Sequence, residues 1–200
     1  MAYIGSDKEL TLLQPEHYMK YNPDKHHRRS IRLPGYDYAS EGWYFITICV
    51  QDKRCIFGEI RNHKMVMNNF GLIVDMEWKK TAQLRKNINL DAYIIMPNHI
   101  HGVIVLNDKY NRWGTMHRAP TMEQFGKPVS GSIPTIIRSF KSAVTKQINK
   151  IQNTPGLHLW QRNYYEHNIR SENDLNRIRT YIIENPLKWT EDKYYSKISR

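Results

Sequence analysis

The chain has 200 residues, the length of one domain with peripheral extensions, and 40% of them are hydrophobic. Thirty Lys and Arg against nineteen Asp and Glu give a formal net charge of +11, which favours a polyanionic partner such as nucleic acid. The sequence has no apolar run of bilayer length and no secretion signal, and Cys49 and Cys55 lack the spacing of a zinc or redox motif, so we expect a cytoplasmic protein without a membrane partner.

The hydrophobic pattern divides the chain into an arm, a domain and a tail. Residues 1–35 are polar and aperiodic and form a basic N-terminal arm, which is either a solvated tail or a segment that lies along phosphates. The domain spans 36–190, and 191–200 form a C-terminal tail. The domain pattern predicts, in chain order, a central strand at 43–50, short strands at 56–60 and 64–67, a helix at 70–85 with Asn69 as N-cap, strands at 90–96 and 99–106, a second helix capped by Ser132, short β-structure within 157–169, and a third helix from the Ser171 cap to Pro186.

The links between these elements indicate the fold class. Residues 107–131 show no period and are predicted to form an exposed loop. Pro97 and Asn98 leave only a tight bend or a bulge between two strands, and such a short link requires antiparallel pairing. We therefore expect an α+β domain with a mostly antiparallel sheet of four or five strands and helices packed on it.

The most informative motif is His99-Ile100-His101, inside the apolar run 92–106. Side chains alternate on a strand, so the two histidines share one face, about 7 Å apart along the chain, and can converge on one metal ion. Two core histidines held by hydrogen bonds would be the structural alternative.

The third predicted helix carries a tyrosine and an asparagine on one face. Tyr181 and Asn185 are four residues apart and so are neighbours on the helix surface. If this face meets His99 and His101, the helix brings a phenol and an amide oxygen to the same ion. Otherwise the Tyr181 ring packs against the core with its hydroxyl exposed to solvent, and Asn185 caps the C-terminal end of the helix.

Several motifs in order resemble one family of enzymes, the REP-associated tyrosine transposases, a branch of the single-tyrosine HUH (histidine–hydrophobic–histidine) transposases. The resemblance covers roughly residues 30–190. It is carried by RLPGYDY at 32–38, the strand at 43–50, MPNHIHG at 96–102, LWQ at 159–161, YYEH at 164–167 and YIIENP at 181–186.

The resemblance implies a ferredoxin-like fold and a DNA transposase that cleaves and rejoins single-stranded DNA through a covalent 5′-phosphotyrosine. It implies that Tyr181 is the nucleophile and that His99 and His101 bind a divalent metal, Mg²⁺ or Mn²⁺. Asn185 would take the place of a polar third ligand. The implied partner is single-stranded or hairpin DNA, bound by a monomer or a homodimer.

The nucleophile and the function both have alternatives at this point. Tyr165 and Tyr164 are alternative nucleophiles in the segment before Ser171. A non-catalytic DNA- or RNA-binding protein with the same fold is the alternative function, and a hydrolase of small phosphoesters is a further one. The basic side chains expected to contact DNA are Arg28, Arg29, Arg32, Arg138, Lys141, Arg162 and Arg170.

Overall fold

Along the described residues the strands and helices follow a β-β-β-α-β-β-α-β-α order. The computed structural model describes residues 37–107 and 129–196. The elements are β1 (Gly42–Cys49), β2 (Gly58–Arg61), β3 (Lys64–Met67), α1 (Asn69–Gln83), β4 (Ile88–Met96), β5 (His99–Leu106), α2 (Ile133–Gln152), β6 (Tyr165–Ile169) and α3 (Glu172–Glu184).

The main sheet has the strand order β4-β5-β1-β6, and every pair is antiparallel. β2 and β3 form a separate hairpin between β1 and α1. With this hairpin set aside, the order up to β6 is the β-α-β-β-α-β order of a ferredoxin-like fold, and α3 follows it. The predicted α+β class and the antiparallel sheet are confirmed.

The two faces of the sheet carry different helices. Alternation along β1 sends Phe45 to the face covered by α3, where it packs in a buried cluster with Ile178 and Ile182. The other face is covered by α1 and α2, which pack against each other through Trp78 and Phe140, with ring centroids 5.2 Å apart. The buried stripes expected from helical spacing therefore lie on both faces of one sheet.

Three local features refine the sequence-based predictions. The N-cap of α1 is Asn68 and not Asn69, because the Asn68 side chain accepts hydrogen bonds from the N–H groups of Phe70 and Gly71. Ser132 occupies the cap position of α2, but its hydroxyl donates to the Val129 carbonyl instead. Ser171 caps α3 as predicted, accepting from the Asp174 N–H.

Two predicted segments fall largely or wholly outside the described residues. They are the N-terminal arm with Arg28, Arg29 and Arg32, and residues 108–128 of the predicted loop. Between β4 and β5, Pro97 and Asn98 form the tight bend, since Met96 pairs directly with His99. None of the described helices is both long and apolar enough to cross a bilayer.

Candidate metal and tyrosine site

Two imidazoles face each other at the centre of the site. His99 and His101 begin β5 and are 0% and 1% exposed. Their Nε2 atoms are 3.0 Å apart. The strand alternation thus brings both rings to one face, as the sequence predicts, and aims the same atom of each ring at a common point.

Hydrogen bonds at the Nδ1 atoms hold both rings in place. His99 Nδ1 is 2.8 Å from Asn98 Oδ1, and His101 Nδ1 is 2.8 Å from Thr47 Oγ1, on the strand paired with β5. A metal-binding histidine usually uses its second ring nitrogen in this way. The arrangement leaves both Nε2 atoms to face the site.

Burial keeps both imidazoles neutral. It lowers the pKa of His99 to about 3, with the nearby charges of Lys193 and Lys53 acting in the same direction. Burial and the neighbouring His99 lower the pKa of His101 well below its ordinary value. Neutral imidazoles are the form that binds metal ions.

A carboxylate that the sequence analysis did not single out completes the cluster. One Asp192 oxygen and one nitrogen from each histidine lie within 4.8 Å of one another. Asp192 belongs to the predicted C-terminal tail and directly follows a short 3-10 turn, Trp189–Glu191. A single acidic residue with no periodic context gives no sequence signal for this role.

Asn185 lies beside the carboxylate of Asp192. It is 3% exposed, and its Nδ2 donates to Asp192 Oδ2 at 2.9 Å. Its Oδ1 is buried and has no hydrogen-bond partner within 37–107 and 129–196. A buried carbonyl oxygen without a donor is unfavourable on its own and suits a cation or a substrate donor nearby.

Tyr181 brings its hydroxyl to the histidines. Its Oη is 3.2 Å from His101 Nε2, and its ring packs edge-on against Phe45 at 6.1 Å. The side chain is 38% exposed, so a substrate can reach it. Burial and the charge of Asp192 raise the pKa of this phenol well above its ordinary value.

The two alternative tyrosines lie at the edge of the sheet. Tyr165 opposes Thr47 on β1, packs edge-on against Phe45 at 6.2 Å, and is 47% exposed. Tyr164 lies under the ammonium of Lys141, which is 5.7 Å from its ring centroid. Of the three tyrosines, Tyr181 brings its hydroxyl within hydrogen-bond distance of a site histidine.

Four of the basic residues predicted to contact DNA are among the described residues: Arg138, Lys141, Arg162 and Arg170. Lys141 donates to the carbonyls of Gln161, Arg162 and Asn163 and so fastens the segment before β6 to α2. Arg170 follows β6 at the end of the sheet away from the histidines. Arg138 is exposed on α2.

A basic groove lies between α2 and the segment 155–162. Its volume is about 790 Å³, and no acidic side chain is among the described residues that line it. Its cationic lining residues are Lys141, Lys146, Lys150 and Arg162. Gln161, one of the lining residues, donates its backbone N–H to the carbonyl of Cys49, the residue paired with His99.

The donor set fits a divalent cation. Two imidazole nitrogens and a carboxylate oxygen converge, and Asn185, bonded to that carboxylate through Nδ2, has a buried oxygen without a partner among the described residues. No cysteine belongs to the cluster, so its chemistry is unlike that of a structural zinc site and compatible with Mn²⁺ or Mg²⁺.

Comparisons with known proteins identify relatives of the chain. No protein-family model matches it. An uncharacterized protein of Haemophilus influenzae is 42% identical over 179 residues, covering 88% of this chain and 97% of the relative. The chain belongs to the same family as this protein.

Two further similarities concern transposases. A Haemophilus influenzae protein named "Putative REP-associated tyrosine transposase" is 26% identical over 152 residues, covering 76% of this chain and 74% of the relative. The structure of a REP-associated tyrosine transposase bound to a REP hairpin is similar with a TM-score of 0.46 and 18% identity, over 80% of this chain and 72% of that one. The resemblance that the sequence motifs indicate is confirmed by the sequence similarity to the first of these two proteins.

Proposed function

We propose that this protein is a metal-dependent single-tyrosine HUH transposase that cuts and rejoins single-stranded DNA. Tyr181 would be the nucleophile, and the product of cutting would be a 5′-phosphotyrosine with a free 3′-hydroxyl. His99, His101 and Asp192 would hold the metal, with Asn185 as a further oxygen donor.

The observation that supports this proposal is the position of the Tyr181 hydroxyl. It lies 3.2 Å from His101 Nε2, which is 3.0 Å from His99 Nε2. A nucleophile beside a divalent cation site is the arrangement that phosphoryl transfer requires. A hydrolase of small phosphoesters that uses water would need neither this phenol nor a basic groove of about 790 Å³.

The proposed step exchanges one phosphoester bond for another. Tyr181 Oη attacks phosphorus, the P–Oη bond forms, and the P–O3′ bond breaks. The phenol loses its proton and the departing 3′ oxygen takes one up. The phosphotyrosine conserves the energy of the broken bond, so a second 3′-hydroxyl can reverse the reaction without a nucleotide cofactor.

The surroundings of Tyr181 explain why a cation is needed. Burial and the charge of Asp192 raise the pKa of the phenol and so hold it in its protonated form. A bound divalent cation would favour the phenolate and withdraw charge from a non-bridging phosphate oxygen. Helix α3 and the ring of Phe45 fix the direction from which the hydroxyl approaches.

The proposed partner is single-stranded or hairpin DNA. The basic groove carries Lys146, Lys150 and Arg162, which would contact the phosphates of a bound strand, and its lining residue Gln161 is hydrogen-bonded to Cys49 beside His99. Tyr165 at the edge of the site is exposed and offers a ring on which a base can stack.

The experiment is a covalent-adduct assay. Labelled single-stranded and hairpin oligonucleotides from the DNA that flanks the gene are incubated with Mn²⁺ and the wild type, Tyr181→Phe or Tyr165→Phe, and are separated on a denaturing gel. We expect an adduct with the wild type and Tyr165→Phe and none with Tyr181→Phe.

Other outcomes would overturn parts of the proposal. An adduct that persists in Tyr181→Phe and disappears in Tyr165→Phe would move the nucleophile to Tyr165. Tight, salt-sensitive binding by the wild type without an adduct on any flanking sequence would favour the non-catalytic nucleic-acid-binding protein.

A further inference from the structure

The side chain of Asn98 connects three parts of the chain. Asn98 lies in the bend between β4 and β5 and is 1% exposed. Its Oδ1 is 2.8 Å from His99 Nδ1, and its Nδ2 donates to the carbonyls of Lys53 and Tyr194, both at 2.9 Å. All polar atoms of this buried amide are therefore in use.

These bonds determine which nitrogen of His99 carries the proton. The two carbonyls accept hydrogen bonds only, so the amide nitrogen of Asn98 must face them and Oδ1 must face the imidazole. Since Oδ1 is an acceptor, His99 Nδ1 carries the hydrogen and Nε2 is left with a lone pair directed at the site. The same amide thus selects the tautomer that binds metal.

Asn98 also holds the C-terminal segment, defined here as residues 192–196. Besides the Asn98–Tyr194 bond, Lys53 Nζ donates to the Lys193 carbonyl at 2.9 Å, and Ser196 Oγ donates to the Lys53 carbonyl at 2.7 Å. The segment is therefore fastened to the bend and to the 3-10 turn Gln51–Lys53, called here the Lys53 turn, and the ring of Tyr194 is centred 4.8 Å from that of His99.

The Lys53 turn has a strained backbone. Asp52 and Lys53 have φ values of 57° and 52°, in the left-handed region that is unfavourable for residues with a Cβ. This turn presents the Lys53 carbonyl to both Asn98 and Ser196. Such strain persists where the surrounding contacts determine the conformation.

We propose that Asn98 is a positioning residue that couples the metal-binding tautomer of His99 to the docking of the C-terminal segment. The segment begins with Asp192, so its docking delivers the carboxylate to the two histidines. Metal binding and docking then favour each other, because each uses the same amide. This inference rests on the metal centre of the proposed function.

The coupling has a readout that is independent of DNA cleavage. Lys193 is exposed, and trypsin cuts the Lys193–Tyr194 bond when the segment leaves the surface. Release of peptides that begin at Tyr194 is followed by mass spectrometry with and without Mn²⁺. At Mn²⁺ concentrations well above Kd we expect release from the wild type to slow at least about tenfold.

Two substitutions at Asn98 separate its two roles. Asn98→Ala removes both, and we expect Mn²⁺ Kd to rise about 10- to 100-fold and Mn²⁺ protection against trypsin to be lost. Asn98→Asp keeps an acceptor for His99 Nδ1 but places oxygen against the carbonyls of Lys53 and Tyr194. We expect it to lose protection as Asn98→Ala does, with a smaller rise in Kd.

The matched control is Asn89→Ala, which changes an exposed asparagine on β4. It should leave the Mn²⁺ Kd and the protection at wild-type values, and thermal unfolding of all variants checks that they are folded. If folded Asn98→Ala retains wild-type Mn²⁺ Kd and protection, the residue is only structural and the inference is wrong.

The outcomes also separate this inference from the proposed function. A wild type that binds Mn²⁺ but gains no protection would overturn the coupling and leave the transposase proposal intact. A wild type that binds no Mn²⁺ would overturn both the metal centre and the coupling. Loss of the adduct in the gel assay alone, with Mn²⁺ protection intact, would overturn only the proposed chemistry.

Discussion

An added methyl group at Gly102 on β5 should destabilise the fold. A Cβ at this position would overlap Trp78 Cζ2 and would lie 3.0 Å from Trp78 Cε2 and 3.1 Å from Tyr93 Cβ. Carbon atoms in contact prefer about 3.5–4.0 Å, so the indole would have to retreat by about 1 Å. Trp78 is completely buried and packed against Phe140, which leaves it no room to do so.

The expected cost follows from this overlap. Overpacking a buried position typically costs about 1–3 kcal/mol. A domain of this size loses roughly 2–4 °C in Tm for each kcal/mol, so we expect Gly102→Ala to melt about 2–12 °C below the wild type. A movement of β5 would also displace the adjacent His101 and weaken Mn²⁺ binding.

Gly42→Ala is the matched control on the neighbouring strand. Its Cβ would meet the Tyr44 ring at 3.5–3.6 Å, an ordinary contact. Restricting the unfolded chain should make this substitution neutral or stabilising by up to about 1 kcal/mol. Both substitutions add one methyl group to a strand of the main sheet. They differ in the space around the added methyl group.

A double mutant tests the mechanism directly. Trp78→Phe removes the benzo-ring carbon that the methyl group of Gly102→Ala would strike. Combining the two substitutions should therefore recover about 1–2 kcal/mol relative to the sum of the single changes. Thermal and urea unfolding of the wild type, the two single variants and the double variant gives this coupling. Equal melting temperatures for Gly102→Ala and Gly42→Ala, or zero coupling to Trp78, would refute the steric argument.

Three further predictions concern the site and its support. Asp192→Asn keeps the size of the side chain but removes its charge, so Mn²⁺ Kd measured by titration should rise about 10- to 100-fold. Thr47→Val removes the partner of His101 Nδ1, and we expect about a tenfold rise in the same Kd. Asp91 accepts two hydrogen bonds from Arg179, at 2.7 and 2.6 Å, which hold the pKa of its carboxyl below the ordinary value. The pair therefore stabilises the fold above about pH 4 and loses this effect as the carboxyl protonates at lower pH. Both side chains are partly exposed, so Asp91→Asn should lower the free energy of unfolding by about 1 kcal/mol at pH 7, and its difference from the wild type should shrink as the pH falls below about 4.

Local sequence signals predicted the parts of the fold that depend on short-range spacing. The period of two placed His99 and His101 on one face, and the helical period placed Tyr181 and Asn185 side by side on α3. Capping chemistry located the start of α3 at Ser171 and missed that of α1 by one residue, since adjacent asparagines are equally good caps.

The third donor could not be predicted in the same way. Asp192 reaches the histidines only because the chain reverses after α3 and the segment 192–196 fastens to the Lys53 turn. No periodic pattern and no local motif predicts either contact. In the sequence, an aspartate that binds a metal beyond the last helix cannot be distinguished from one that is exposed to solvent. Long-range hydrogen bonds of this kind become visible only in the folded structure.

Asn185 shows how a correct placement can leave the chemistry open. Its spacing from Tyr181 predicted a position near the two histidines, and in the structure its Nδ2 donates to the neighbouring Asp192 carboxylate. Spacing says nothing of which amide atom faces the site, and the structure gives Nδ2 a partner in Asp192 while Oδ1 stays without one among the described residues. The same side chain can thus hold the carboxylate and offer its oxygen to the cation. Asn185→Asp would put a second negative charge 2.9 Å from Asp192, so loss of Mn²⁺ binding there would show that the amide nitrogen, and not only the oxygen, is required.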